Sequence, residues 1–156
     1  MKIIFLDIDG VLNSVQYDRS RTHEQGNIDE TRLSLLKEVV DETQALIVLS
    51  SSWRKHWSKE SCQCDNIGKE LNDIFSKYQL SIYDRTPCFD NNDRADEIRM
   101  WLADNDNVEA FVIFDDIPFG WVVDLQDRLI KTNPRIVFGF EEKHIQEAIE
   151  FLKCKY

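Results

Sequence analysis

Glycine and proline are scarce in this chain, at five and three of 156 residues. That excludes collagen-like and low-complexity classes and leaves few forced breaks in regular structure. Long apolar runs are missing as well: none approaches the ~20 residues that a membrane-spanning helix requires. The four cysteines lack a zinc pattern. Cys62 and Cys64 form C-x-C without the usual two-residue spacing, and no His follows closely. Reduced thiols are the expectation, with a metal site on Cys62, Cys64 and Cys88 as a weak alternative. Positive charge is in deficit, 19 Lys and Arg against 29 Asp and Glu, for a net charge of −10. Such a balance opposes generic tracking of a phosphate backbone, which a basic face normally supports. The N-terminal apolar stretch is only Ile3–Leu6 and is broken by Asp7, so it does not read as a secretion signal. A cytoplasmic location is the expectation.

What is present is a globular composition, 42% apolar and 31% charged. A chain of this length hides roughly two-thirds of its unfolded surface and suffices for one domain, 1–156. Lys2–Leu6 reads as a short buried strand. From Asn27 the apolar period changes: Ile28, Leu33, Leu36 and Val40 fall on one helix face, with Asn27 and Glu30 in capping-box positions. Ala45–Leu49 is a second apolar run and ends at Ser50-Ser51-Ser52. A helix is expected around Ile67–Tyr78 and a strand over Leu80–Tyr83. Another helix carries Ile98, Trp101 and Leu102, capped by Asn92 or Asp93. Ala110–Phe114 is a buried strand, Leu129–Lys131 a short one, and Ile145, Ala148, Ile149 and Leu152 share a face of the last helix. Strands that alternate with helices imply βαβ units, hence an α/β, Rossmann-like parallel sheet with helices on both faces.

In open α/β sheets ligands bind beyond the carboxyl ends of the strands. Three strands end there in polar residues: Asp7 and Asp9, then Ser50, then Asp115 and Asp116. Four carboxylates in one crevice repel each other unless a cation lies among them. Mg²⁺ suits such oxygen ligands together with a substrate phosphate. A carboxylate can also act as a nucleophile toward phosphorus, and phosphoryl transfer needs in-line positioning and charge compensation. Gly10 allows a tight bend that brings backbone donors near a phosphate.

The pattern D-I-D-G-V at 7–11, a strand ending in Ser50, a basic residue opening a later helix, and Asp115-Asp116 after a strand resembles the haloacid dehalogenase (HAD) superfamily of phosphatases. L-D-I-D-G-V-L-N, V-L-S-S-S-W-R at 48–54, F-D-D at 114–116, and L-I-K-T-N-P followed by G-F-E-E are similar to the small HAD domains of Swiss Army Knife RNA-repair proteins. The resemblance spans nearly the whole chain. It implies a three-layer HAD-like fold and a Mg²⁺-dependent phosphohydrolase that works through an aspartyl-phosphate. Asp7 would be the nucleophile and a metal ligand. Asp9 would be the general acid/base, its backbone carbonyl also facing the metal. Ser50, or Ser51 in the same turn, would hold a phosphoryl oxygen. Asp115 would bind Mg²⁺ directly, and Asp116 directly or through water. The basic residue is Arg94, where the superfamily often has Lys, with Arg54 and Lys55 as competitors.

Other residues have two readings. Arg94 could instead pair with Glu97 or Glu141. Trp53, Arg54, Lys55, His56 and Trp57 interleave aromatics with positive charge and could stack a base, although Trp53 and Trp57 at helical spacing also suit core packing. Thr132 lines the crevice or makes a turn. His23 and His144 are expected at the surface. Neither Asn13–Gly26, read as a loop or flap, nor residues 55–93 leave room for a large cap domain. An open site suits a phosphorylated nucleic-acid end. A nucleotide phosphatase, favoured if 13–26 closes as a lid, and a non-catalytic Mg²⁺- or phosphate-binding module are the alternatives.

Overall fold

Two apolar strands occupy the middle of the sheet, β1 (Lys2–Leu6) and β4 (Ala110–Asp115). The computed structural model describes residues 1–22, 26–90, 93–117, 123–135 and 139–155. β2 (Leu46–Leu49), β3 (Ile82–Arg85) and β5 (Leu129–Lys131) complete a five-stranded sheet of order β3-β2-β1-β4-β5. Every pairing is parallel. β1 therefore has β2 on one side and β4 on the other, which makes it the strand where the winding reverses and a crevice opens.

Successive side chains of a strand point to opposite faces, and both faces of this sheet are covered. Ile4 and Leu6 of β1, Ile47 and Leu49 of β2, and Val112 and Phe114 of β4 face one core. That core is closed by α2 (Glu30–Thr43), α3 (Asn66–Lys77) and α6 (Glu142–Lys153) through residues such as Leu33, Leu36, Phe75 and Leu152. Ile3, Phe5, Val48, Phe111 and Ile113 face the other, which α4 (Arg94–Ala103) covers with Ala95, Ile98 and Trp101. The result is the three-layer α/β architecture expected from the alternation of elements.

Local differences from the sequence reading have local causes. The strand expected over Leu80–Tyr83 begins later because Leu80 closes α3. Gln79 takes a left-handed φ of 56°, Gln79 N–H donates to Ser76 O, and Leu80 N–H donates to Phe75 O, the Schellman arrangement that satisfies helix-end carbonyls. α2 is capped by Asp29, whose carboxylate accepts from Thr31 N at 3.0 Å, and not by Asn27. α4 is capped by Asp93, which accepts from the Ala95 and Asp96 amides; Asn92 lies outside the described residues. His144 is buried, not exposed: it is the third residue of α6, and its Nδ1 accepts the Glu141 N–H at 3.0 Å in a capping box. His23 lies outside the described residues. Residues 13–26 were read as a loop or flap, yet they contain a short helix, α1 (Val15–Ser20), capped by Ser14. Buried Tyr17 anchors it by donating to the Gly26 and Ile28 carbonyls. A second short helix, α5 (Val123–Gln126), precedes β5. Among the described residues no helix is long and apolar enough to cross a membrane.

Candidate active site

The backbone ladders continue one residue past the strands, and that extension sets the crevice. Asp7 N–H donates to Phe114 O, Ser50 N–H to Leu6 O, and Thr132 N–H to Asp115 O, at 2.9–3.0 Å. The first residues after β1 and β2 and the last of β4 thus stand in register at one edge of the sheet. A cavity of about 370 Å³ opens over them. Its wall includes Asp7, Asp9, Gly10, Ser52, Arg94 and Asp116. α1 contributes Val15 and Asp18 to the same wall.

Carboxylate oxygens of Asp7, Asp115 and Asp116 come within 4.8 Å of one another. Asp7 and Asp115 are buried. Burial pushes the Asp7 carboxyl above its ordinary range, while Arg94, the Ser51 hydroxyl and the Ile8 amide pull against that rise. Asp115 is pushed up to about 6, by burial first and by the neighbouring Asp7 charge second. Arg94 is the counterweight. Its Nη1 donates to Asp7 Oδ2 at 2.7 Å and also to Asp115 Oδ2. Burial works against the Arg94 charge, but the two carboxylates outweigh it and hold the guanidinium above the usual arginine value. The alternative pairing of Arg94 with Glu97 or Glu141 does not occur.

Asp9 is exposed and is held differently. Asn13 Nδ2 donates to its Oδ1 at 2.8 Å, and Trp53 Nε1 donates to its Oδ2 at 3.0 Å. Asn13 also accepts the Gly10 N–H through Oδ1 at 2.9 Å. The Asp9 side chain therefore stands apart from the Asp7, Asp115 and Asp116 cluster. Gly10 is required by the backbone: its φ is +84°, and a Cβ there would lie 2.7 Å from Asp116 Cγ. Thr132 does not line the cavity. It donates its hydroxyl to the Gly10 carbonyl at 2.7 Å and braces the loop.

Three serines follow β2, and they separate by role. Ser50, expected to face the phosphate, is fully buried and its hydroxyl has no hydrogen-bond partner among the described residues. The Ser51 hydroxyl lies beside the Asp7 carboxylate, pulling its pKa down against the effect of burial, and accepts the Trp53 N–H at 3.3 Å. Ser52 reaches the cavity wall. The hydroxyl against Asp7 is that of Ser51, because a residue that continues the ladder turns its side chain with the sheet's alternation. Arg54 is likewise a correction. It was a candidate for substrate binding but is buried beneath the turn. Its Nη2 pairs with buried Glu97 at 2.5 Å, and its Nη1 donates to the Ser50 and Ser51 carbonyls at 2.8 and 2.9 Å. With both terminal nitrogens so engaged, it supports the serine turn from below. Lys55 is exposed and absent from the cavity wall. Trp57 belongs to the core, while Trp53 is half-buried beside Asp9.

Sequence reasoning missed Asn13 and Ser52 as parts of this edge, and it offered Trp53 for base stacking without its hydrogen bond to Asp9. Asn13 closes the motif L-D-I-D-G-V-L-N and could have been found as an amide one turn after Asp9. Nothing in sequence spacing links Trp53 to Asp9, which it meets only through the β1–β2 pairing. The four cysteines are unpaired, Cys64 buried and Cys62, Cys88 and Cys154 exposed. Among the described residues only Asp7, Asp115 and Asp116 are grouped closely enough to hold a metal ion. Three carboxylates, two of them buried, are a donor set that fits a hard divalent cation.

No curated protein matches the chain significantly. A family model, described as the HAD domain in Swiss Army Knife RNA repair proteins, matches residues 3–145. The match contains every strand except Lys2 at the start of β1, and it includes the serine turn, Arg94 and both acidic motifs. The chain therefore belongs to the family of HAD domains found in Swiss Army Knife RNA repair proteins.

Proposed function

We propose that the protein is a Mg²⁺-dependent phosphomonoester hydrolase that acts on phosphorylated nucleic-acid ends through an aspartyl-phosphate on Asp7. The observation that carries this reading is the division of labour between two carboxylates two residues apart. Asp7 is buried against Arg94, whereas Asp9 is exposed and held at both oxygens by Asn13 and Trp53. Binding alone needs no second, separately oriented acid. A nucleophile and a proton carrier do.

In the first half-reaction an Asp7 carboxylate oxygen attacks phosphorus. The ester P–O bond breaks, and the leaving oxygen takes a proton from Asp9. In the second, water attacks phosphorus and gives its proton back to Asp9. The Asp7–phosphorus bond then breaks to release phosphate and the free carboxylate. Protons and phosphoryl group balance over the cycle, with water as the only co-substrate. Ser51 adjoins the Asp7 carboxylate and would supply a hydroxyl to a phosphoryl oxygen, and Arg94 offsets the carboxylate charge. Mg²⁺ held by Asp7, Asp115 and Asp116, with the Asp9 carbonyl nearby, would compensate the charge of the phosphoryl oxygens. The net charge of −10 favours recognition of an end over tracking along a backbone.

The test is phosphate release with Mg²⁺ or EDTA for wild type and Asp7→Asn. The panel holds p-nitrophenyl phosphate, nucleotides, and 3′- and 5′-phosphorylated oligonucleotides. Mg²⁺-dependent release that vanishes in Asp7→Asn, strongest on the oligonucleotides, is the expected result. Preference for free nucleotides would move the substrate to small molecules. Absence of release from every substrate by a folded, Mg²⁺-binding protein would refute the hydrolase reading.

A further inference from the structure

Ser52 belongs to the walls of two cavities. One is the cavity over Asp7. The other, about 260 Å³, is bounded by Asn27, Ser52, Trp53, His56, Ile67 and Glu70. The two are neighbours across a single residue, and the Trp53 indole is the fixed partition, since its Nε1 donates to Asp9 Oδ2 at 3.0 Å. Trp53 also borders a smaller apolar recess formed with Ile28, Leu71 and Ile74.

The position of Asp9 says what the second cavity must receive. A leaving oxygen has to come within hydrogen-bond reach of its general acid to be protonated. The group that bears that oxygen then extends past Asp9, whose carboxylate is held by Asn13 on the side of the first cavity and by Trp53 on the side of the second. We infer that the cavity behind Trp53 is the leaving-group subsite and that it takes the nucleobase of the nucleotide whose phosphate is removed. This rests on the hydrolase reading above.

The lining suits that occupant. Trp53 and Ile67, the latter 40% exposed on α3, supply flat and apolar surface. Asn27 and Glu70 supply an amide and a carboxylate that can meet the polar edge of a base, and His56 is oriented by Asp65 at 2.6 Å. Base stacking on an aromatic side chain is sequence-tolerant, because every base has a π face. Neither lysine nor arginine is among these lining residues, and Glu70 is acidic. A second phosphate is thus unwelcome, which limits the subsite to one base instead of a length of backbone.

The experiment compares kcat/KM on nucleoside 5′- and 3′-monophosphates with kcat/KM on ribose 5-phosphate and glycerol 2-phosphate, which carry no base. Wild type should favour the base-bearing substrates by about tenfold, as expected for one stacked base. Trp53→Leu and Ile67→Asp should erase that preference. Trp53→Phe should keep most of it, since the ring remains. Thermal melts establish that each variant is folded, and Ile67→Asp alters an exposed position. Equal rates with and without a base in wild type would overturn the subsite, as would a preference that survives both Trp53→Leu and Ile67→Asp. Quenching of tryptophan fluorescence by adenosine and uridine in Asp7→Asn separates this proposal from the hydrolase reading. Nucleoside binding lost in Ile67→Asp, with no phosphoester hydrolysed, would support the subsite and overturn only the hydrolase reading. Hydrolysis without nucleoside binding would do the reverse.

Discussion

Replacing Glu97 by Ala should cost far more stability than its distance from the cavity suggests. The Glu97 side chain is fully buried, with Oε2 on Arg54 Nη2 at 2.5 Å and Oε1 accepting the Phe89 N–H at 2.9 Å. The substitution leaves the buried Arg54 charge without its carboxylate. Removing one partner of such a pair costs about 3–5 kcal/mol. In a chain of this size each kcal/mol moves Tm by ~2–4 °C, so the melting temperature should fall by roughly 6–20 °C. The matched variant Arg54→Met/Glu97→Leu removes both charges. It removes the cost of the lone charge, but the Ser50 and Ser51 carbonyls and the Phe89 N–H lose their partners, at about 1–3 kcal/mol for each group left unsatisfied, so the coupling and not the net stability is the readout. Urea unfolding of wild type, Arg54→Met, Glu97→Leu and the double variant gives the coupling energy directly. A Glu97→Ala cost below ~1 kcal/mol, or strict additivity of the two singles, would refute the reasoning. Either would mean that Arg54 can turn out to solvent and is not fixed under the serine turn.

The remaining expectations concern the site edge and one cap. Gly10→Ala forces a side chain into a left-handed φ and onto Asp116; it should lower stability by about 1–3 kcal/mol and weaken Mg²⁺ binding, measured by calorimetric titration. Asp115 is raised from its ordinary 3.8 to about 6, so its contribution to stability is whole below pH 3.8 and lost as pH rises through 6. Added Mg²⁺ should therefore raise Tm more at pH 7.5 than at pH 5, and an equal shift at both would contradict this. The His144 pKa is lowered, by burial first and by Lys143 second, so the unfolded chain binds its proton more readily. Wild-type stability should then fall relative to His144→Gln as pH drops below about 6.5, read by urea unfolding at pH 7.5, 6 and 5.

The sheet was legible because β1, β2 and β4 are buried on both faces, and continuous apolar runs such as Ile3–Leu6 and Phe111–Phe114 leave little else to be. The acids at their ends were legible for the same reason: a carboxylate that terminates such a run needs chemistry to stand there. Arg94 was placed by the helix that Asp93 caps. What escaped was set by contacts distant in sequence or by very short elements. Six residues of α1 carry too little period to be distinguished from loop. Ser50 and Ser51 differ only in which way the chain turns after its last ladder bond. Arg54 reads as an exposed cation until Glu97 is seen opposite it, and His144 reads as surface until it is found closing a helix start.

The strand ends that make the cavity have a consequence for how the site is gained and lost. Asp7 follows β1, Ser51 follows β2, Arg94 opens α4 and Asp115 ends β4. β1 pairs with β4 from Lys2–Ala110 to Leu6–Phe114, across more than two-thirds of the chain. No hairpin or single βα unit holds even Asp7 and its counter-ion Arg94 together. Such long-range parallel pairing is slow to form and late to be rewarded, so the site comes into being with the central ladder and not before. A nascent, nicked or partly melted chain carries no weakened version of it. Assembly of the acidic site, read by Mg²⁺ binding, and protection of the central strands from hydrogen exchange should rise together during refolding, in a single phase.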